Sequence, residues 1–352
     1  MIMLKRTLPL VLVAATSALV LISGSAPVHA QEAFLERPGT ERGQATMPAD
    51  RVAGAPGQMK AVSSACKTLP LASARSRIVN LAAQEWAYFG FSVTDRTLPR
   101  SISRYTRGRS WRSMRSPAES RKRSQTFARQ MPSIAGYWAA TPGAAWALER
   151  QNAIWNRSGE VGSRWRDPWS AAFVSWVVCE AGVGQLNQFQ RSIAHRTYID
   201  QAINARDGRA KASAYVAYDM GESAILPGDL LCSGTRSGYT SIGQRRKQLG
   251  SGARTHCDIV VAMDGSEGVI LAIGGNVYGT VSLKRLPAVR EKGRNLHPRD
   301  DIFAHLKLKA NPIGADALSK SATVHAMACA PSFQAPSQVG VLGLGLEKRA
   351  CR

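Results

Sequence analysis

The run Asp167-Pro168-Trp169-Ser170 stands just before an apolar stretch that ends at Gly182. Asp is a favoured N-cap, Pro a favoured first helical residue and Gly a favoured C-terminal stop. The stretch therefore predicts a helix, with Phe173, Trp176, Val177 and Glu180 on one side. Its mostly apolar composition predicts a buried one. Ser170 falls in the first turn, where unpaired backbone N–H groups and the positive end of the helix dipole favour an anion or a developing oxyanion. A serine there can act as a nucleophile if a general base reaches it.

The candidate base is His256. Pro227-Gly228-Asp229 signals a turn into a short strand, Leu230-Leu231-Cys232. A polar, Gly-rich insertion to Thr255 carries Arg236, Arg245, Arg246, Lys247 and Arg254 without an acid. His256 to Met263 then reads as a strand, Asp264 to Gly268 as a hairpin loop, and Val269 to Ile273 as the partner strand. Gly274-Gly275-Asn276-Val277 follows, and a third strand is expected from Thr280 to Leu283. A hairpin centred between Gly265 and Ser266 sets His256 opposite Gly275, one register step from Asn276. Alternation along the strand separates His256 from Cys257. If His256 faces the helix, Cys257 faces away from it. Ser170 as nucleophile, His256 as base and Asn276 as the residue orienting His256 form a workable hydrolytic set. Trp169, His195 and Tyr198 are candidates for lining the substrate groove, and Trp165 or Trp169 for stacking on substrate at its rim. A structural hydrogen bond is the competing role for His195. No His, Asp or Glu pair has metal-ligand spacing, and no cofactor motif is present.

The elements around these residues are mixed. Ile78, Ala82, Trp86 and Phe89 form one helical stripe that Gly90 can end. Further helical patterns run from about Pro132 to Ala140 and from Gly143 to Trp155. The resulting class is α+β. Four regions are expected: a signal peptide over 1–30, a flexible linker over 31–70, one domain over 71–310 with a basic insertion at 96–130, and a low-complexity tail over 311–352. The leader reading rests on Lys5-Arg6, the apolar stretch from Leu8 to Ile22, and the A-x-A-like site Val28-His29-Ala30. Cleavage there predicts export to the periplasm or beyond, with no stable membrane span in the mature chain. All six cysteines lie beyond Ala30, and export permits disulfides. Their connectivity stays open. Cys179, Cys232 and Cys257 sit in apolar runs that suit buried thiols, and Cys329 and Cys351 could close the tail.

The order of these signals resembles the NlpC-type and CHAP-type cell-wall hydrolases. Trp169-Ser170-Ala171-Ala172-Phe173-Val174-Ser175-Trp176 is similar to their nucleophile helix, and Ile273-Gly274-Gly275-Asn276-Val277 to the CHAP strand that carries the third residue. The resemblance implies a papain-like core, in which the nucleophile helix packs on a small antiparallel β-sheet, with additional N-terminal helices. Over roughly residues 72–308 the chain also resembles a bacterial family known as domain of unknown function 2272. The shared features are the Ile78–Gly90 helix, Pro168 to Phe173, Ser192, His195 and Tyr198, Pro227 to Cys232, His256 to Val260, and Gly274 to Val277. Active NlpC and CHAP enzymes carry Cys where this chain has Ser170. A thiol is readily held as a thiolate beside His at a helix N-terminus. A serine hydroxyl instead needs its proton removed during attack.

Three functions follow as alternatives. The chain is an exported amidase or peptidase on peptidoglycan peptide or a similar amide, or a catalytically inactive cell-wall-binding module, or a polyanion-binding envelope protein. A serine esterase would use the same residues, although no G-x-S-x-G elbow is present. The 352 residues carry 46 Lys+Arg against 24 Asp+Glu, a net charge of +22. Net +10 comes from 96–130 alone, where eleven basic residues meet only Glu119. Such a surplus favours anionic partners. Export, and the lack of any nucleic-acid-binding motif, point to peptidoglycan or another anionic envelope polymer rather than nucleic acid. Nothing in the sequence sets an oligomeric state.

Overall fold

The computed structural model describes residues 46–98, 117–161, 163–235, 238–299 and 301–328, with the backbone alone for 117–127. The leader, the centre of the basic insertion and the Cys329–Cys351 pair lie outside these residues. Among the described residues, no helix is long and apolar enough to cross a membrane.

The helices are α1 (Ala74–Tyr88), α2 (Pro117–Ala139), α3 (Ala145–Ser158), α4 (Ser170–Glu180), α5 (His195–Arg206), α6 (Ile242–Arg246) and α7 (Ala322–Ala328). Two short strands, β1 (Val52–Ala53) and β2 (Lys60–Ala61), pair with each other. The main sheet has eight strands: β3 (Ser92–Asp95), β4 (Tyr215–Tyr218), β5 (Leu230–Gly234), β6 (Thr255–Asp264), β7 (Val269–Val277), β8 (Thr280–Val289), β9 (His297–Pro298) and β10 (Ile302–Leu308). Its order is β3-β8-β7-β6-β5-β10-β4, with β9 beside β8, and every pairing is antiparallel except β3 with β8. The α+β class is as expected, but the sheet is larger than the small one anticipated.

Both faces of the central strands are covered, which is why β6 and β7 read as nearly continuous apolar runs. Cys257, Ile259, Val261, Leu271 and Ile273 point into the main core with α4. Leu231, Val260, Ile270, Ala272 and Leu286 form a second, smaller core on the opposite face. The helix α4 is buried from Ala171 to Glu180 and starts at Ser170, two residues later than its Asp-Pro signal. Gly182, at φ 86°, ends it as anticipated. The helix expected from Pro132 extends back to Pro117, with Pro132 inside it.

Two expected weakly ordered regions are packed. Over residues 46–70, instead of a linker, a strap packs on α2 and α3 and is tied to the C-terminal end of α4. Buried Arg51 ion-pairs with Glu180 and donates to the Ser63 and Ala65 carbonyls. Cys66 is disulfide-bonded to Cys179 of α4. Residues 311–328, assigned to the tail, contribute buried Leu318 and the helix α7, which packs on α1. Cys232 and Cys257, directly opposite on β5 and β6, form a second disulfide. Cys179, Cys232 and Cys257 are therefore not the free thiols their apolar surroundings suggested.

Asp229 does more than cap its turn. Fully buried, it pairs with Arg75 Nη1 at 2.7 Å and His305 Nε2 at 2.8 Å, and accepts the Leu226 and Leu308 N–H groups. That cluster locks α1 to β5 and β10. Breaking a buried pair of this kind costs about 3–5 kcal/mol.

Candidate functional site

The N-terminus of α4 sits at the end of the β6–β7 seam. Hairpin pairing runs from Asp264↔Val269 through a bulge to Ile259↔Ile273 and then stops. Beyond that point no register pair joins the two strands, and the Cys257 N–H is donated to a side chain instead. Gly274 and Gly275 permit this: a Cβ on Gly275 would lie 2.6 Å from Phe173 Cβ, and one on Gly274 would lie 1.9 Å from Asp258 Oδ1. The Gly-Gly pair thus lets β7 approach α4 on one side and the Asp258 carboxylate on the other.

His195, the first residue of α5, is at the seam. Its Nε2 is 2.7 Å from Ser170 Oγ in a hydrogen bond. On the other side of the ring, the Cys257 backbone N–H donates to Nδ1 at 3.2 Å, and the Tyr198 hydroxyl also bonds Nδ1. The imidazole occupies the Cys257 backbone donor where hairpin pairing has ended. Burial holds the His195 pKa well below 6.5, and the charges of His256 and Lys284 add to the effect against the opposing pull of Asp258. Burial likewise raises the Tyr198 phenol well above 10, with Asp258 adding to it. Both side chains are therefore neutral at physiological pH.

His256 pairs differently from the expectation. Its Nε2 is 2.8 Å from Asp258 Oδ1, and Lys284 Nζ is 2.7 Å from Asp258 Oδ2. Burial works to raise the Asp258 pKa, but the charges and hydrogen bonds of Lys284 and His256 outweigh it and hold the carboxyl well below the ordinary 3.8. Asp258 is thus ionised, and the hydrogen on His256 Nε2 is donated to it. The His256 ring lies 5.1 Å from the His195 ring, centroid to centroid.

The strand faces are the reverse of the expected ones. Cys257 belongs to the helix-side core. Asp258 is opposite Leu231, which belongs to the second core, and His256 alternates with Cys257 onto that same side. Among the described residues, Ser170 is hydrogen-bonded to His195 and no hydrogen bond joins it to His256. Asn276 takes a left-handed backbone, φ 56°, for which Asn is one of the tolerant residues. The residue orienting His256 is Asp258.

The expected groove residues are interior. Trp169 is 1% exposed and packs between Phe89 and Tyr137, each 5.8 Å away. Trp165 is buried against Trp155. Tyr198 stacks on Phe189 and serves His195. Sequence reasoning missed Asp258 and Lys284, although His256-x-Asp258 is the spacing that puts two side chains on one face of a strand. Among the described residues, no group of three or more His, Cys, Asp and Glu side chains is arranged to hold a metal ion.

No curated protein and no solved structure matches the chain. A bacterial family, DUF2272, described as "Uncharacterized protein conserved in bacteria", matches residues 129–308. That segment includes Ser170, His195, Tyr198, His256, Asp258 and Lys284 and amounts to just over half of the sequence, and the chain belongs to this family.

Proposed function

We propose that the protein is an exported cell-envelope hydrolase, an amidase or peptidase on peptidoglycan peptide or a similar amide, with Ser170 as nucleophile. The observation that carries this reading is the His256–Asp258 pair beside the Ser170–His195 pair. Because the Asp258 carboxylate takes the Nε2 hydrogen of His256, the Nδ1 lone pair is left as the base. This is the role of the orienting acid in a catalytic triad, filled here by Asp258 instead of Asn276. Lys284 holds the acid ionised.

In the proposed reaction Ser170 Oγ attacks the amide carbon while its proton reaches His256 Nδ1 through bridging water, since Ser170 and His256 are not hydrogen-bonded to one another. The carbonyl π electrons move to oxygen, where the first-turn N–H groups of α4 and its dipole stabilise the oxyanion. The C–N bond then breaks, and the leaving amine takes the proton from His256. Water, deprotonated by the same His256, releases the acyl group and regenerates Ser170. The papain-like architecture is part of this reading, as is export by the leader. The basic surplus then serves localisation on an anionic envelope polymer.

A second reading, an inactive cell-wall-binding module of the same fold, is favoured by one observation: Ser170 is bonded to His195 and not to His256. Incubation with purified peptidoglycan and with a fluorophosphonate probe separates the two. The hydrolase reading expects Ser170-dependent labelling and released fragments whose masses identify the bond, both lost in Ser170→Ala. Saturable sedimentation with peptidoglycan, without labelling or fragments, would leave the binding module.

A further inference from the structure

We infer that His195 is a fixed hydrogen-bond donor to Ser170, a positioning residue, and is not the base that deprotonates it. The short contact between Ser170 and His195 invites the opposite conclusion, since a Ser–His pair at 2.7 Å looks like nucleophile and base. The other side of the ring decides the direction. A backbone amide can only donate, and the Cys257 N–H points at Nδ1. Nδ1 therefore carries the lone pair, and with no hydrogen on Nδ1 the Tyr198 hydroxyl must be the donor in its own contact with that atom. A neutral imidazole has one hydrogen, so it resides on Nε2 and is donated to Ser170 Oγ. A base at Nε2 would need the other tautomer, which would set an Nδ1 hydrogen against the Cys257 N–H.

The consequence is directional. With His195 occupying a lone pair of Ser170 Oγ, the serine's own hydrogen is available to a different acceptor. The remaining imidazole lone pair of the site is Nδ1 of His256, whose Nε2 hydrogen is committed to Asp258. His195 also keeps a donor on Oγ as negative charge develops there during attack. The buried Tyr198, the Cys257 amide and the first turn of α5 fix the imidazole in this orientation. The transfer step rests on the hydrolase reading. The tautomer of His195 does not.

The test has two arms on the full chain. In the first, protein with ¹⁵N-labelled histidine is followed by long-range ¹H–¹⁵N correlation, and His195 is assigned by the signals missing in His195→Gln. The expected result is the Nε2–H tautomer with an unprotonated Nδ1, unchanged from about pH 5.5 to about pH 8.5. An Nδ1–H tautomer, or an imidazolium in that range, would overturn the inference. The second arm reads the rate of fluorophosphonate labelling against pH. In that reaction the Oγ–P bond forms, fluoride leaves, and the serine proton goes to the base. Gln places an amide donor near the Nε2 position, so His195→Gln should label within about tenfold of wild type and keep its pH profile. His256→Ala should lose about 10²–10⁴-fold and lose the profile. A dead His195→Gln beside an active His256→Ala overturns the assignment. If wild-type protein never labels, the hydrolase reading fails while the tautomer arm still decides the inference.

Discussion

Gly274 lies so close to Asp258 that a Cβ at position 274 would come within 1.9 Å of Asp258 Oδ1 and 3.1 Å of His256 Nε2. The strand that should flank His256 must carry glycine there for the His256–Asp258 bond to form. Gly274→Ala should therefore displace the carboxylate or the ring and cut fluorophosphonate labelling by about 10²-fold or more, the loss of a general base. Its stability cost should be about 1–3 kcal/mol, as for other overpacked sites. Labelling at the wild-type rate would show that the His256–Asp258 bond is dispensable.

Asp258 has two jobs that can be separated by mutation. Asp258→Asn removes the charge that fixes the His256 tautomer and leaves Lys284, which is 12% exposed, without its counter-ion. The single variant should lose about 10⁴-fold in labelling, as expected when a triad acid becomes an amide. It should also lose about 3 kcal/mol of stability from the broken pair. Adding Lys284→Met should restore most of the stability and none of the labelling. Recovery of labelling in the double variant would mean that Asp258 acts only by neutralising Lys284.

Much of this scaffold is readable in the chain, because the readable parts are those where one periodicity dominates. The Ile78–Phe89 stripe becomes α1, and the apolar runs around Asp264–Gly268 become the β6–β7 hairpin within one register step of the expected pairing. The face of His256 is misjudged because alternation fixes relative faces and leaves open which one meets the helix. The contact of His195 with Ser170 is hidden for a different reason. His195 is 25 residues from Ser170, on a helix whose start has no side-chain cap, and only the packing of α5 against the seam brings the two together. The strap over 46–70 has no apolar period because a buried Arg51–Glu180 pair and a disulfide hold it. Its ordering comes from long-range partners that no local pattern announces.

His195 should give the protein an acid-sensitive stability. Its folded pKa is depressed by burial, so between the ordinary 6.5 and that lower value the unfolded chain binds a proton the folded one refuses. The contribution is complete above pH 6.5 and is lost as pH falls through that window. Asp258 is also depressed, but its contribution is retained until pH falls below about 3.8, so the two effects occupy different windows. Thermal melts from pH 7.5 to pH 4.5 should show Tm falling on acidification, with a shallower slope in His195→Gln. Parallel slopes in the two proteins would refute a buried neutral His195.

The Cys66–Cys179 disulfide should stabilise the fold without serving the site. It closes a sequence separation of 113 residues, and a loop near 100 residues is worth about 4.7 kcal/mol by chain entropy. Native disulfides of this kind typically deliver about 2–5 kcal/mol when measured by removal. Cys179 lies nine residues along α4 from Ser170, about 13 Å at the helical rise. Cys66→Ala leaves Cys179 as a small buried side chain and should lower the urea midpoint accordingly. It should also expose the strap to trypsin at Lys60 or Lys67, both of which are on the surface. Ser170 labelling per folded molecule should be unchanged, because the first turn of α4 and the seam hold His195 and Asp258 independently of the strap. A variant that keeps its urea midpoint but loses labelling would mean that the strap, through α4, sets the position of Ser170.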